Sequence, residues 1–152
     1  MNPLVINAYS KYVYAGGESI GIELKSDYVL VVGNYDINGN KPNLKIGDKI
    51  VNVDGKRISN IKDLTASVQG KEKVKIGYMR DKNYQEETID ISYEEGIYKT
   101  GLYVKDEIMG IGTLTYIDPF TNIFGCLGHE INEKITKKLF DVNSGTIFSS
   151  FV

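Results

Sequence analysis

The residues of this chain that could carry out nucleophilic chemistry are a serine in a glycine-rich segment, one cysteine and one histidine. Residues 17–21, Gly-Glu-Ser-Ile-Gly, match the G-x-S-x-G pattern found around the nucleophilic serine of many hydrolases. His129 is the only histidine, and Cys126, the only cysteine, lies just before it. Because an imidazole titrates near neutral pH, it can accept a proton from a hydroxyl or a thiol. Ser19 and Cys126 are thus candidate nucleophiles, and His129 is a candidate base.

The residues that follow Ser19 argue against a catalytic role for this serine. A nucleophile elbow places its serine between a strand and a helix, on a strained turn. Apolar and polar residues alternate over 20–25, a pattern that predicts a half-buried strand instead of a helix. We therefore predict that Ser19 is a loop residue, and an esterase acting through Ser19 is the least favoured function.

The same segment fits a peptide-binding loop. Gly16 and Gly17 permit positive φ angles, which can point successive N–H groups at an anion such as a carboxylate. A strand beginning at Ile20 would offer an open edge to which a peptide adds, with a helix near 60–69 as the opposite wall. The alternative is a groove that stays empty or is filled by the chain itself. The predicted peptide-binding residues are Gly17, Ser19, Ile20, Gly21 and Ile22.

His129 and Cys126 do not form a metal site by themselves. They supply two ligands, and the chain has no other cysteine or histidine, so no metal or cofactor is expected. Cys126 stands between Gly125 and Leu127 on a predicted strand, where a small buried thiol is the usual outcome. A Cys126–His129 catalytic pair and a purely structural His129 remain open alternatives.

The elements that would position these residues are mainly strands. Asp54-Gly55 predicts a tight hairpin. Asn60 is the predicted N-cap of a short helix over 61–68 that ends at Gly70. The turn 118–122 contains Pro119, which suits its second position. Further strands are predicted over 28–33, 50–53, 73–80, 87–93, 113–117, 123–127 and 145–152.

Composition excludes several classes of partner. The 152 residues carry a formal net charge of −2 with no basic stripe, so we expect no nucleic-acid binding. A single cysteine excludes an internal disulfide. No apolar run approaches the ~20 residues of a membrane span, and the start lacks the features of a signal peptide.

Residues 12–93 resemble a PDZ domain. Ser-Ile-Gly-Ile at 19–22 is similar to its carboxylate-binding loop, and residues 44–58 followed by 60–64 are similar to its second half. With the strand at 87–91 coming last, the order resembles the permuted form seen in bacterial proteases. The resemblance implies about five strands, one short helix and a groove for a peptide or protein substrate.

Residues 101–131 resemble the start of the peptidase domain of the SpoIVB family of sporulation serine endopeptidases. The similar motifs are Gly-Ile-Gly-Thr-Leu-Thr at 110–115, Asp-Pro at 118–119 and Leu-Gly-His at 127–129. In that family a PDZ domain directly precedes the peptidase unit. The resemblance implies a domain over 12–93, a β-rich, barrel-like peptidase part over 98–152, and His129 as the catalytic general base.

The chain departs from the family because the family's nucleophilic serine lies far beyond its histidine. Only three serines follow His129, and none has recognisable nucleophile surroundings: Ser144, Ser149 and Ser150. We expect a chain truncated before the nucleophile, inactive alone, with an incomplete barrel whose open edges favour self-association. Asp118 and Asp141 are candidate orienting acids, but turn formation explains both better.

The resemblance further implies an extracytoplasmic, membrane-associated protein, in the intermembrane space of the sporulating cell. It would cleave a membrane signalling protein as a step in sporulation. The alternative function is a non-catalytic PDZ peptide-binding module that carries a structural peptidase remnant.

Overall fold

The chain is mainly β, as expected, with a single short helix among the described residues. The computed structural model describes residues 10–128 and 140–150. They divide into two compact units. The small unit comprises residues up to 23, 109–130 and from 145 onward, and the large unit comprises 24–108 and 131–144. Two long strands, β2 and β9, contribute residues to both units.

The strands are short except for β2 and β9. Their bounds are β1 Tyr14–Ala15, β2 Ser19–Asn34, β3 Lys49–Val53, β4 Lys56–Arg57, β5 Lys73–Arg80, β6 Asn83–Asp90, β7 Ser92–Glu94, β8 Ile97–Lys99, β9 Leu102–Ile117, β10 Phe124–Gly128 and β11 Ser144–Ser149. The helix α1 spans Ile61–Val68.

The large unit contains the hydrophobic core. Its strands follow the order β9-β2-β3-β5-β6, and the pairs β2–β3, β3–β5 and β5–β6 are antiparallel. Helix α1 contributes Leu64 and Val68 to the core, as its helical spacing predicted. Burial of these aliphatic side chains is the main term that holds the unit together. The other core residues are Val29, Val31, Leu44, Ile50, Val53, Ile58, Val74, Ile76, Tyr78, Ile89 and Leu102.

The predicted helix start is confirmed. The Asn60 side chain accepts the N–H of Asp63 at 2.9 Å, the usual arrangement of an N-cap. The carboxylate of Asp106 accepts the N–H of Ile61 at 2.7 Å, so two of the free N–H groups of the first turn are satisfied. Gly70 takes a φ of 71° just beyond the helix, which explains the glycine at the stop.

The hairpin at Asp54-Gly55 is also confirmed, because Val53 pairs with Lys56 and both turn residues have positive φ. The next hairpin differs from the prediction. Strand β6 covers 83–90 instead of 87–93, and the turn is only Asp81-Lys82. Much of β6 is exposed, and most of its residues are polar. The alternation of apolar and polar residues that would predict a strand is therefore weak.

A buried ion pair fixes the turn before β3. Asp48 is 2% exposed and receives two hydrogen bonds from the Arg80 guanidinium, at 2.6 and 2.9 Å. The same carboxylate accepts the N–H of Lys45 at 2.7 Å. The hydrogen bonds to Asp48 raise the pKa of Arg80 above its ordinary value. The pair thus ties β5 to the 45–48 turn.

Phe140 and Asp141 belong to the large unit. Phe140 is buried against Tyr28 and Leu30. Asp141 forms an ion pair with Lys49, whose ammonium lies 4.8 Å from the centre of the Tyr28 ring. Burial, followed by the charge of Asp141, raises the pKa of Tyr28 to about 12. Asp141 is therefore engaged in a surface cluster with Lys49 and Tyr28.

Two features bear on the predicted organisation. Strands β7 and β8 form a hairpin through Glu95-Gly96, between the predicted domains 12–93 and 98–152. The limits 12–93 and 98–152 and the PDZ-like arrangement stay predictions. The strands of residues 10–128 and 140–150 do not close into a barrel. Within the same described ranges, no helix has the length and apolar character needed to cross a membrane.

Candidate functional site

The small unit is built around the second half of β9. Ile117 of β9 pairs with Tyr14 of β1 and also with Phe124 of β10, so neighbours lie on both edges of the strand. Strand β2 continues beyond β1, and the carbonyl of Glu18 accepts the N–H of Leu114 at 3.0 Å. Strand β11 pairs with β2. The predicted strands at 113–117 and 123–127 are thus present, with β9 longer than expected.

Asp118 closes the turn between β9 and β10. Its carboxylate is fully buried and accepts the Ser10 hydroxyl at 2.5 Å and the Phe120 N–H at 2.9 Å. The Ser10 hydrogen bond, followed by that from Phe120, lowers the pKa of Asp118 below its ordinary value. The Phe120 bond is that of a turn-forming aspartate, whereas the Ser10 bond joins the turn to a residue far away in the sequence. Together they keep Asp118 anionic and engaged by both partners.

Ser19 is the first residue of β2, and the strand continues without a break to Asn34. A nucleophile elbow requires a helix directly after the serine. The strand replaces that helix, so the structure excludes the elbow geometry at Ser19 and with it the esterase alternative. Ser19 instead takes part in the sheet through its backbone.

The edge of β2 that was expected to be open is occupied by β11. The carbonyl of Ser19 accepts the N–H of Ser150 at 3.1 Å. The ring of Phe148 lies over Gly21, where a Cβ atom would come within 2.3 Å of two ring carbons. Only glycine leaves room for the ring at this position. The edge is thus paired and not open in this structure, and the roles of Gly17, Ser19, Ile20, Gly21 and Ile22 in peptide binding stay predictions.

The glycine pair before β2 is only partly available for an anion. The N–H of Gly16 donates to the carbonyl of Thr115 at 2.9 Å, as part of the sheet. Gly17 takes a φ of 149°, and a Cβ there would meet nothing within 4 Å. A carboxylate nest needs successive free N–H groups. In this structure the Gly16 donor is already used.

A groove of about 670 Å³ lies beside these residues, entirely within the small unit. No lysine or arginine is among the described residues that line it. Its walls are mostly apolar, with one carboxylate at Glu18. The apolar lining residues are Ile20, Leu114, Ile117, Phe124, Ile147 and Phe148, and the polar ones are Glu18, Ser19, Ser149 and Ser150.

Cys126 is half-buried on β10, opposite Leu114. The register of β10 against β9 shifts between Gly125 and Cys126, which marks an irregularity in the strand. Strand β10 ends at Gly128, immediately before His129. His129 itself lies outside the described residues. No group of three metal-ligating side chains occurs in the described ranges.

The small unit exposes much of its apolar surface. Ile111 and Leu127 are 69% and 70% exposed. Ile20 is the one buried apolar side chain among its described residues. Exposed apolar residues of this kind mark interaction surfaces or aggregation-prone faces. Self-association stays a prediction. The other large exposed residues are Tyr12, Val13, Tyr14, Met109, Ile117, Phe120, Ile123, Phe124, Ile147 and Phe148.

Comparison with known families gives a match to the C-terminal part of the chain. Residues 95–152 match the family SpoIVB peptidase S55. A search of curated proteins found no match. The matched segment includes the second half of β9, strand β10 and His129, where the sequence motifs lie. The predicted resemblance to the SpoIVB-type serine peptidases is thus confirmed over residues 95–152.

Proposed function

We propose that this chain is part of a serine endopeptidase of the SpoIVB type that acts in sporulation signalling. The observation that carries the proposal is the family match over 95–152, which contains His129. The groove of the small unit supports it because apolar walls next to a strand suit an extended peptide. Residues 12–93 would serve as a PDZ-like module for recognition of a peptide or partner.

In the proposed reaction, His129 accepts the proton of a serine hydroxyl as its oxygen attacks the scissile carbonyl. The same proton then goes to the leaving amine, and water repeats the cycle on the acyl-enzyme. Gly128, directly before His129, adds no side chain that would obstruct an approaching substrate backbone. We place no orienting acid, because Asp118 is engaged by Ser10 and by its own turn, and Asp141 by an ion pair with Lys49.

We further propose that the 152-residue chain hydrolyses no peptide by itself. The hydroxyls of Ser10, Ser26 and Ser92 donate to carboxylate or carbonyl oxygens. None of these acceptors is a base that titrates near neutral pH. Serine endopeptidase activity from the purified chain, abolished by a fluorophosphonate, would contradict this proposal.

The experiment that tests the catalytic assignment compares variants of the complete gene product. We expect His129→Ala to lower kcat/KM on a fluorogenic peptide by about 10⁴-fold or more, and to abolish fluorophosphonate labelling. Cys126→Ala is the matched control, because it removes the candidate thiol nucleophile near His129 in the sequence and leaves His129 itself unchanged. Under the serine mechanism Cys126→Ala retains activity. Loss of activity in Cys126→Ala together with labelling by iodoacetamide would instead favour the Cys126–His129 pair.

A second candidate function is a non-catalytic peptide-binding module. The apolar groove favours it independently of His129. In that case His129→Ala leaves every activity of the complete gene product unchanged, while peptide binding persists.

By resemblance, the substrate or partner is a membrane signalling protein and the location is extracytoplasmic and membrane-associated. Protease protection of the protein in sporulating cells tests that location.

A further inference from the structure

We propose that the edge of β2 at Gly21 is a docking site for an internal, uncharged peptide segment carrying an aromatic residue, and that β11 is its built-in competitor. The inference rests on the proposed role in peptide recognition and names the ligand class and its regulation. The ligand would be a segment of a protein substrate, with its aromatic ring in the space over Gly21.

The first argument is the fit of Phe148 to Gly21. A Cβ atom at Gly21 would lie 2.3 Å from the Phe148 ring, well inside van der Waals contact. The missing side chain therefore creates a notch, and one aromatic ring occupies it. Phe148 is still 41% exposed, so the ring covers the notch without being enclosed. A ligand ring can replace it without dismantling a core.

The second argument is the weak burial of β11. All six of its residues are exposed, although the strand is paired with β2. Segments that bury little apolar surface open at a low free-energy cost. The large unit, in contrast, holds its strands with a continuous core. A competing strand can therefore displace β11 at a low free-energy cost.

The third argument concerns charge. Residues 144–150, Ser-Gly-Thr-Ile-Phe-Ser-Ser, carry no charged side chain. The groove beside them has the carboxylate of Glu18 and no lysine or arginine among its lining residues. The N–H of Gly16 is committed to Thr115. A free terminal carboxylate would thus meet a negative charge and find one donor fewer, which favours an internal segment over a C-terminus.

The test uses the 152-residue chain and a fluorescent copy of residues 144–150 blocked at both ends, with binding read by anisotropy. Removing the competing ring should raise the fraction of chains with an open edge, and the apparent Kd falls in proportion. We expect Phe148→Ala to bind the peptide roughly tenfold more tightly than the unmodified chain. Thr146→Ala, a change on the same exposed strand away from the notch, is the matched control and leaves Kd unchanged.

A disulfide across β2 and β11 provides the reverse perturbation. Ser19 and Ser150 face each other across a hydrogen bond, a separation that a disulfide can span. Ser19→Cys with Ser150→Cys, in a Cys126→Ser background, should bind no peptide when oxidised and recover binding when reduced. Cys126→Ser alone is the control. Far-UV circular dichroism establishes that each variant is folded.

Several outcomes would overturn the proposal. Equal peptide affinity of the oxidised and reduced chains means that β11 does not cover the site. Equal affinity for a peptide with alanine in place of phenylalanine removes the role of the ring, and tighter binding of the free acid than of the blocked amide removes the preference for an internal segment. A disulfide-linked dimer on a non-reducing gel assigns β11 to the site of a second copy.

The readout is binding, so it separates this inference from the catalytic proposal. If His129→Ala loses proteolysis and the peptide binds equally well to the oxidised and reduced disulfide variant, the peptidase proposal is supported. The competitor role of β11 is then refuted. If His129→Ala keeps its proteolysis and the oxidised disulfide abolishes peptide binding, the competitor role of β11 is supported. The catalytic role of His129 is then refuted.

Discussion

Replacing Arg80 with methionine is expected to lower the free energy of unfolding of the large unit by about 3 kcal/mol. The change removes both hydrogen bonds to Asp48 and leaves a carboxylate that is 2% exposed without its cation. Breaking a buried pair typically costs 3–5 kcal/mol, and the low end applies because Arg80 is partly exposed and Asp48 keeps the Lys45 N–H. For a unit of this size the midpoint of thermal unfolding should fall by roughly 12–24 °C.

The matched control is Arg57→Met, which breaks an ion pair with Asp27 whose side chains are 73% and 53% exposed. Such a surface pair contributes at most about 1 kcal/mol. Urea unfolding followed by far-UV circular dichroism measures both variants. Adding Asp48→Asn to Arg80→Met should recover part of the loss, because a neutral amide is less costly to bury. Equal unfolding midpoints for Arg80→Met and Arg57→Met would refute the reasoning.

Three further changes test other parts of the structure. Asn60→Ala should cost about 1 kcal/mol by removing the cap of α1, and Asn60→Ser, which keeps an acceptor, should cost less in the same urea assay. Because the pKa of Tyr28 is raised from 10.0 to about 12, its stabilising contribution is complete below pH 10 and is lost as pH rises toward 12. The tyrosine that titrates near pH 12 should disappear from an absorbance titration of Tyr28→Phe, and its persistence in that variant contradicts the assignment. The ordinary pKa of an aspartate is 3.8, and that of Asp118 is lowered. Asp118 therefore stabilises the small unit fully at pH values above 3.8, and this contribution is lost as the pH falls below 3.8 toward the lowered pKa. Ser10→Ala should raise the pKa of Asp118 by removing the largest cause of the shift, and an unchanged carboxyl titration by NMR would show that Ser10 is not that cause.

The local elements of the fold could be predicted from the sequence. Asn60 and Gly70 bracket α1, and Asp54-Gly55 closes its hairpin, because caps and tight turns depend on a few neighbouring residues. Strand β6 was placed too late because its solvent-exposed residues mask the apolar alternation. Periodicity detects a strand only where one face is buried.

The candidate site was harder to predict because it depends on contacts between distant parts of the chain. Gly21 was predicted to bind a peptide, but the sequence does not say that the Phe148 ring lies over it. The commitment of the Gly16 N–H to Thr115 is likewise invisible in the local pattern. His129 was singled out by resemblance to a family, and the match over 95–152 supports the resemblance but not yet the role.

The solitary thiol of β10 makes the groove observable by spectroscopy. Cys126 is opposite Leu114, which lines the groove, and no second cysteine competes for a label. A small thiol-reactive fluorophore or a nitroxide would therefore attach at one defined position. Its emission or mobility should respond when a ligand enters or when β11 moves. The chain thus contains a site for recording the kinetics of peptide entry without any engineered cysteine.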